Sequence, residues 1–352
     1  MKAQKNDRVA PEYAGSKSDS SSKNWLNRTE LESAIDDFLF DCRYRGQSKR
    51  TLDGKKEQYG KYIWWLDHRK KDLPGQLDPE SVFDTAHVRA FLHYVATGHE
   101  DPQGRWDNPR ETSAARPATI GLYRAYLCAL ASYLIEQEVI DRSPLEKIKA
   151  PKKNADQIKP YDESHIQAFF RVVRHGLNPE RDESILRFLL DTGVRASELC
   201  TLQWKDVDFE LRCAHVTGKG NKKRAIYFGQ ETAKCLRSHR KRLAKALKFD
   251  PEKGPVFAAA SGMMTGRALT RSGLLQLVHK WGIDARVQGV RVSPHTFRHT
   301  FALDFLRGGG NVFALQQLLG HTNLRMTQKY LSLAQGDIQD QHRQFSPGDK
   351  YK

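Results

Sequence analysis

Between Trp25 and Lys147 the large apolar residues recur three and four positions apart and nowhere alternate, which commits this stretch to helices rather than a sheet. Leu31, Ile35, Phe38 and Leu39 share one face after a helix start around Arg28-Thr29-Glu30. A second helix, beginning at Ser48 or Thr51, carries Leu52, Tyr59, Tyr62, Ile63 and Leu66 on one side and Lys49, Arg50, Lys55, Lys56 and Lys61 on the other. Pro74-Gly75 and Asp78-Pro79 break the chain, and Asp84-Thr85 opens a third helix with Val88, Phe91, Leu92 and Val95 inside. Residues 98–117 hold three prolines and two glycines and are read as a loop. From Ala118 a fourth helix follows, with Ile120, Leu122, Tyr126, Leu127, Leu130, Leu134 and Ile135 at helical spacing. Residues 25–148 thus predict a bundle of four or five helices.

On either side the composition changes. Residues 1–24 are rich in Ser, Lys, Asp and Gly, bury too little to fold alone and are read as a disordered tail. Residues 149–160 are basic, polar and bracketed by Pro151 and Pro160, the marks of a linker. A second domain, 161–332, opens with Asp162 or Ser164 capping a helix through Ile166, Phe169, Phe170 and Val173. Helices over Ser184–Asp191, ended by Gly193, and over Arg195–Leu202 come next. The period then changes to two. Val207–Val216 and Lys223–Phe228 predict two strands joined by a turn with two glycines, Thr217–Lys222. A basic helix, Lys234–Lys248, and mainly helix thereafter make the chain mainly α with a small antiparallel sheet.

Charge narrows the partner. The 58 Lys and Arg against 42 Asp and Glu give a formal +16, which favours a polyanion because each neutralised phosphate releases counterions. The five cysteines are odd in number and form no CxxC pair, so neither a disulfide framework nor a zinc site is indicated. No apolar run is read as membrane-spanning and no signal-peptide core stands at the N-terminus, so a soluble, cytoplasmic protein is expected.

Four short pieces carry the chemistry. In Asp191-Thr-Gly-Val-Arg195-Ala-Ser-Glu198, the guanidinium reads as a fork for phosphate oxygens, with Glu198 three residues on to hold it; alone, such an arginine would be surface. In Gly218-Lys219-Gly220, the glycines let backbone approach a ligand, and the ammonium could protonate a leaving alkoxide. The same turn fails as a Walker loop, lacking Gly-x4-Gly-Lys-Ser/Thr. In Pro294-His295-Thr-Phe-Arg298-His299, His295 and Arg298 share a helical face. His299 stands four beyond His295, but the HExxH glutamate is missing, so it reads as a structural, hydrogen-bonded histidine rather than a zinc ligand. Finally, Leu-Leu-Gly320-His321 precedes Tyr330 by nine residues, and a phenol there needs neighbouring cations to favour its anion.

Taken together and in this order, Thr-Gly-Val-Arg195-Ala-Ser-Glu-Leu, Gly-Lys219-Gly-Asn-Lys-Lys-Arg, His295-Thr-Phe-Arg298-His, Leu-Gly-His321 and Tyr330 resemble the tyrosine recombinase (phage integrase) family over about residues 160–332. Residues 25–150 look like that family's helical core-binding domain, by pattern rather than by motif. The resemblance implies that Tyr330 attacks a DNA phosphodiester to give a 3′-phosphotyrosyl bond and a free 5′-hydroxyl. Arg195 and Arg298 would hold the non-bridging oxygens, His321 would donate a further hydrogen bond, and Lys219 would protonate the leaving oxygen. His295 would be general base or proton relay for Tyr330. Neither ATP nor metal nor other cofactor is implied, because the covalent bond conserves the phosphodiester energy.

The resemblance also implies a C-shaped clamp on double-stranded DNA carrying specific sites. A dimer on each site would form a homotetramer, with accessory DNA-bending factors as further partners. Candidate DNA contacts are Lys49, Arg50, Lys55, Lys222, Lys223, Arg224, Arg237, Arg240, Arg242, Arg267, Arg271 and Arg291, most of them to phosphates. The 333–352 tail, with Leu333 and Ile338, would dock on a neighbouring protomer. Integration, excision or transposition of a mobile element is the favoured role. Chromosome- or plasmid-dimer resolution is the alternative, ahead of a type IB topoisomerase or a non-catalytic DNA-binding regulator.

Overall fold

A computed structural model of the chain describes residues 26–69, 81–98, 103–152, 159–218, 222–247, 254–259, 266–321, 323–334, 342, 346 and 348. The readings for 1–24, for the breaks at Pro74-Gly75 and Asp78-Pro79, for Lys219 and for Ile338 lie outside the described residues. The chain divides into two compact units, Met1–Asp156 and Gln157–Lys352.

The first unit holds four helices among its described residues: α1 (Arg28–Tyr44), α2 (Lys49–Arg69), α3 (Thr85–Ala96) and α4 (Pro117–Glu136). Asn27 starts α1 through a capping box, its side chain accepting from the Glu30 amide while Glu30 accepts from the Asn27 amide. Asp84 caps α3 by accepting from the amides of Ala86 and His87. The inner faces meet in a core that includes Leu31, Phe38, Tyr59, Trp65, Phe91, Leu127 and Leu130. By length and composition α4 could cross a membrane, unlike the sequence expectation, yet its inner face of Tyr123, Leu127, Leu130, Ala131 and Leu134 is buried against the other helices. The described part of the 98–117 loop is pinned by buried Arg105, whose guanidinium donates to the carbonyls of Val95, Glu111 and Ser113.

The second unit is helical around a three-stranded antiparallel sheet. Its helices are α5 (Glu163–Arg174), α6 (Pro179–Thr192), α7 (Ala196–Thr201), α8 (Gln230–Leu247), α9 (Arg271–Asp284), α10 (Pro294–Arg307), α11 (Val312–Leu319) and α12 (Leu324–Ala334). Asp162 is the cap of α5: it accepts from the His165 amide, and Ser164 donates to it instead of competing. The α6 helix starts five residues before the predicted Ser184, because Pro179 at its first turn fixes a helical φ and gives up no needed donor.

The sheet corrects one expectation. The alternating run 207–216 is two strands, β1 (Val207–Asp208) and β2 (Cys213–Thr217), folded back on each other with Val207 opposite Ala214. Between them the Asp208 carboxylate accepts from the amides of Glu210 and Leu211, and Arg212 takes φ 49°, so the chain turns where alternation alone would continue it. β3 (Lys223–Tyr227) pairs with β2 in register Val216 to Arg224. Phe169, Phe188, Leu189, Leu199, Val216, Ile226, Phe257 and Phe297 join the core that carries α6, α7, α10 and the sheet.

Candidate active site

Two helix ends bring the cationic residues together. α6 stops at Gly193 in the left-handed conformation, φ 56°, where an added Cβ would lie 2.3 Å from the Phe301 ring. The chain then extends through Val194 into Arg195, the N-cap of α7. α11 stops in the same way at Gly320, φ 62°, where a Cβ would fall 2.6 Å from Arg224 Nε. Both turns expose carbonyls to guanidiniums. Arg298 Nη1 donates to Gly193 O at 2.7 Å and Nη2 to Leu319 O at 2.6 Å, while Arg195 Nη2 donates to Gly320 O at 2.8 Å.

Glu198 holds this arrangement from below. Only 1% exposed, it accepts from the Arg195 amide at 2.9 Å, from Arg195 Nη1 at 2.9 Å and from Arg224 Nη2 at 2.8 Å. The hairpin base is close as well, since a Cβ on Gly218 would stand 3.3 Å from Glu198 Oε1. Burial pushes Arg224 down, partly offset by Glu198, and pushes Arg298 down to about 10. A guanidinium keeps its proton in proteins, so both are counted as cations.

The imidazoles and the phenol complete the cluster. His321 Nε2 faces Arg298 Nη2 at 3.0 Å and its Nδ1 faces Thr327 Oγ1 at 2.9 Å. A guanidinium N–H only donates, so Nε2 accepts, and the His321 proton sits on Nδ1. Tyr330 is 4% exposed, with its ring parallel to that of His321 at 6.3 Å between centroids. Its hydroxyl lies 2.7 Å from His299 Nδ1. His295, exposed, stacks edge-on to His299 with centroids 4.8 Å apart. Burial, then neighbouring cations, hold His321 at about 4; burial, then His295 and Arg298, do the same to His299; His295 is also lowered. Burial raises Tyr330, with Arg298 pulling the other way.

Of the six residues named from sequence, the described five all belong to this cluster region: Arg195 at the N-cap of α7, His295 and Arg298 on α10, His321 just after the α11 cap and Tyr330 on α12. Among the described residues no group of three or more His, Cys, Asp or Glu is placed to hold a metal ion. The candidate DNA contacts divide. Lys49, Arg50, Lys222, Lys223, Arg237, Arg242, Arg267, Arg271 and Arg291 are exposed. Lys55 instead turns to Cys42 Sγ at 3.0 Å and over the Phe38 ring. On α8, Arg237 and Arg240 lie over the rings of Phe209 and Trp204, and Arg242 pairs with Glu180 at 2.6 Å.

Arg224 faces the cluster, and its strand period could have said so: it shares a face with Ile226 and Phe228, both buried. The contact of His299 with Tyr330 spans 31 positions between two helices and leaves no such signal.

The family described as the phage integrase family matches residues 160–336. A tyrosine recombinase XerD from Staphylococcus haemolyticus (strain JCSC1435) is 32% identical over 319 residues, 90% of this chain and 99% of the relative. A tyrosine recombinase XerC from Pediococcus pentosaceus is 29% identical over 293 residues, 81% and 90% of the two chains. In fold the chain is similar to a lambda integrase dimer bound to a COC′ core site, with TM-score 0.62 at 16% identity over 85% of this chain and 94% of that one. It is also similar to the XerH site-specific recombinase bound to a palindromic difH substrate, with TM-score 0.61 at 19% identity over 92% and 85%. The motifs in order, their convergence in space and these likenesses have one reading: the chain belongs to the phage integrase family of tyrosine recombinases, enzymes that cleave and rejoin DNA.

Proposed function

We propose that the chain is a site-specific recombinase that exchanges strands of double-stranded DNA through a 3′-phosphotyrosyl bond to Tyr330. The observation that carries this is the convergence of Arg195, Arg298, His321 and Tyr330 from two helices, the N-cap of α7 and the residue after the C-cap of α11. Arg195 and Arg298 bind the non-bridging oxygens as preorganised cations, stabilising the charge that develops on the phosphorane. His321 adds a hydrogen bond. Tyr330 attacks phosphorus, Lys219 gives its proton to the departing 5′-oxygen, and His295 is the base or relay for the phenol. A 5′-hydroxyl from another strand then reverses the step and completes the exchange. Exposed Lys222, Lys223, Arg267, Arg271 and Arg291 contact phosphates around the site. The working assembly is a dimer on each site and a homotetramer on two, in the cytosol, with DNA-bending factors where the site demands them.

For the biological role we take movement of a mobile element, by integration, excision or transposition. The relatives named XerC and XerD favour a second reading, resolution of chromosome or plasmid dimers. One experiment addresses chemistry and role together. Wild-type protein is incubated with nicked fragments of its own host DNA, adducts are trapped on a denaturing gel, and the attached strand is sequenced. An adduct with wild type and none with Tyr330→Phe is expected; an adduct with Tyr330→Phe refutes the nucleophile. Sequences at the ends of an element support the first role, and a single recurring chromosomal or plasmid site supports the second.

A further inference from the structure

We infer that His299 is the immediate proton acceptor for the Tyr330 hydroxyl and fixes the direction in which its oxygen points, which leaves His295, whose ring meets that of His299, the part of relay. The inference rests on the proposed phosphotyrosyl chemistry. Among the described residues the hydroxyl has one hydrogen-bond partner, His299 Nδ1 at 2.7 Å. The other imidazoles are differently engaged. His321 spends both ring nitrogens, one on Arg298 and one on Thr327. His295 is exposed, and its ring meets that of His299 edge-on, 4.8 Å between centroids.

His299 lies on α10 one residue after Arg298, so a single turn of helix sets the phosphate-binding guanidinium and the phenol's acceptor at fixed spacing. Tyr330 comes from α12, so this bond also ties the nucleophile's helix to the helix that binds the phosphate. The groups facing His299 are His295 and Arg298 on its own helix and Lys329 and Tyr330 on α12. Burial, and after it the cations there, keep the imidazole neutral, as an acceptor must be. A bound phosphodiester puts a negative charge beside Arg298 and offsets that repulsion as the reaction begins.

As the Tyr330 oxygen bonds to phosphorus, its proton passes to His299 Nδ1 and the bond to the 5′-oxygen breaks. That oxygen takes its proton from the general acid. In the reverse step His299 returns the proton to the tyrosine oxygen, leaving neutral imidazole and phenol.

The test uses full-length protein and a nicked duplex bearing the strand sequence recovered by adduct trapping. Single-turnover adduct formation is followed from pH 5.5 to 9, beside filter binding of the same duplex. If wild type forms no adduct, the proposed chemistry itself fails, whatever His299 does. If it does form one, His299→Ala is expected to lose roughly 10²–10³-fold in rate at unchanged DNA affinity. His299→Asn places an acceptor where Nδ1 stood and is expected to recover part of the rate, without the wild-type limb at low pH. It also covers the case in which the alanine variant does not fold. A duplex with a sulfur in place of the bridging 5′-oxygen needs no acid to release its leaving group, and the His299 defect should persist on it. Rates for His299→Ala within about threefold of wild type across the pH range would overturn the inference. So would relief of its defect by the sulfur-bridged substrate, or a weakened DNA affinity that accounts for the whole loss.

Discussion

Replacing Glu198 by Gln removes one negative charge and almost no volume from beneath the cationic cluster. Its two carboxylate oxygens lie 2.9 Å from Arg195 Nη1 and 2.8 Å from Arg224 Nη2. At those distances and an effective dielectric constant of about 20, each contact carries a gross attraction of about 6 kcal/mol. Most of that offsets the desolvation of a carboxylate that is 1% exposed and a guanidinium that is 15% exposed. Removing one partner from a buried pair leaves a net loss of about 3–5 kcal/mol. The Arg195 side chain is 33% exposed and partly screened by water, which places the expected value at the lower end, about 3 kcal/mol. For a unit of this size, that corresponds to a melting temperature lower by about 6–12 °C.

The assay is equilibrium urea unfolding of wild type, Glu198→Gln, Arg224→Met and the double variant. In Glu198→Gln the amide presents N–H groups to arginines that also repel each other. Deleting Arg224 relieves that repulsion, and the double variant should be more stable than the sum of the single losses by about 1–2 kcal/mol. A loss below about 1 kcal/mol with additive variants would refute the reasoning: the carboxylate's charge would then not be what holds Arg195 and Arg224.

Gly320→Ala combines about 1–2 kcal/mol of left-handed backbone strain with a Cβ 2.6 Å from Arg224 Nε, so Arg224 must leave Glu198. Urea unfolding should show a loss larger than the strain alone, and adduct formation should fall with it. Arg105→Met strips the buried donors from the carbonyls of Val95, Glu111 and Ser113 and should cost about 3–5 kcal/mol, read as an early loss of tryptophan fluorescence around Trp106 during unfolding. The pH dependence follows from His299 and His321, which take up a proton near pH 6.5 in the unfolded chain and only near 4 in the folded one. Between those values the unfolded state binds more protons, so stability should fall as pH drops from about 6.5 to about 4 and level off below. His299→Asn and His321→Asn should each flatten that slope in thermal melts.

The helical first unit was legible because its apolar residues keep one period over whole turns and its caps are local. Asp84 precedes α3 in sequence as it does in space. Alternation misled at 207–216, where the turn is set by the Asp208 side chain bonding two amides, a local competitor that hydrophobic period does not register. In the site, Arg298 and His299 differ by one position and face different partners, carbonyls and His321 for one and Tyr330 for the other. Residue type marked both as polar and helical. Their division of labour depends on where α11 and α12 return, and nothing local in the sequence encodes that. Arg224 was readable from its strand face, but the basic residues flanking it drew attention to solvent instead.

At neutral pH the cluster's charge rests on three guanidiniums and one carboxylate, because burial and neighbouring cations keep His295, His299 and His321 low. Three positive charges less one negative leave an excess of two, held in place by carbonyls and Glu198. A phosphodiester brings one negative charge into that field. His321 must also change state to serve it, since its Nε2 now accepts from Arg298 and can donate to a phosphate oxygen only after gaining a proton or exchanging the one on Nδ1. Burial is the larger reason His321 stays deprotonated, and the same anion weakens the second, the repulsion from Arg298 and Arg195. DNA binding at pH 6–7 should therefore draw protons from solution. Binding enthalpies measured in buffers of different ionisation heat report that uptake, and His321→Asn should reduce it. Enthalpies independent of the buffer would refute the coupling and leave a proton exchange within the ring as the route by which His321 meets the phosphate.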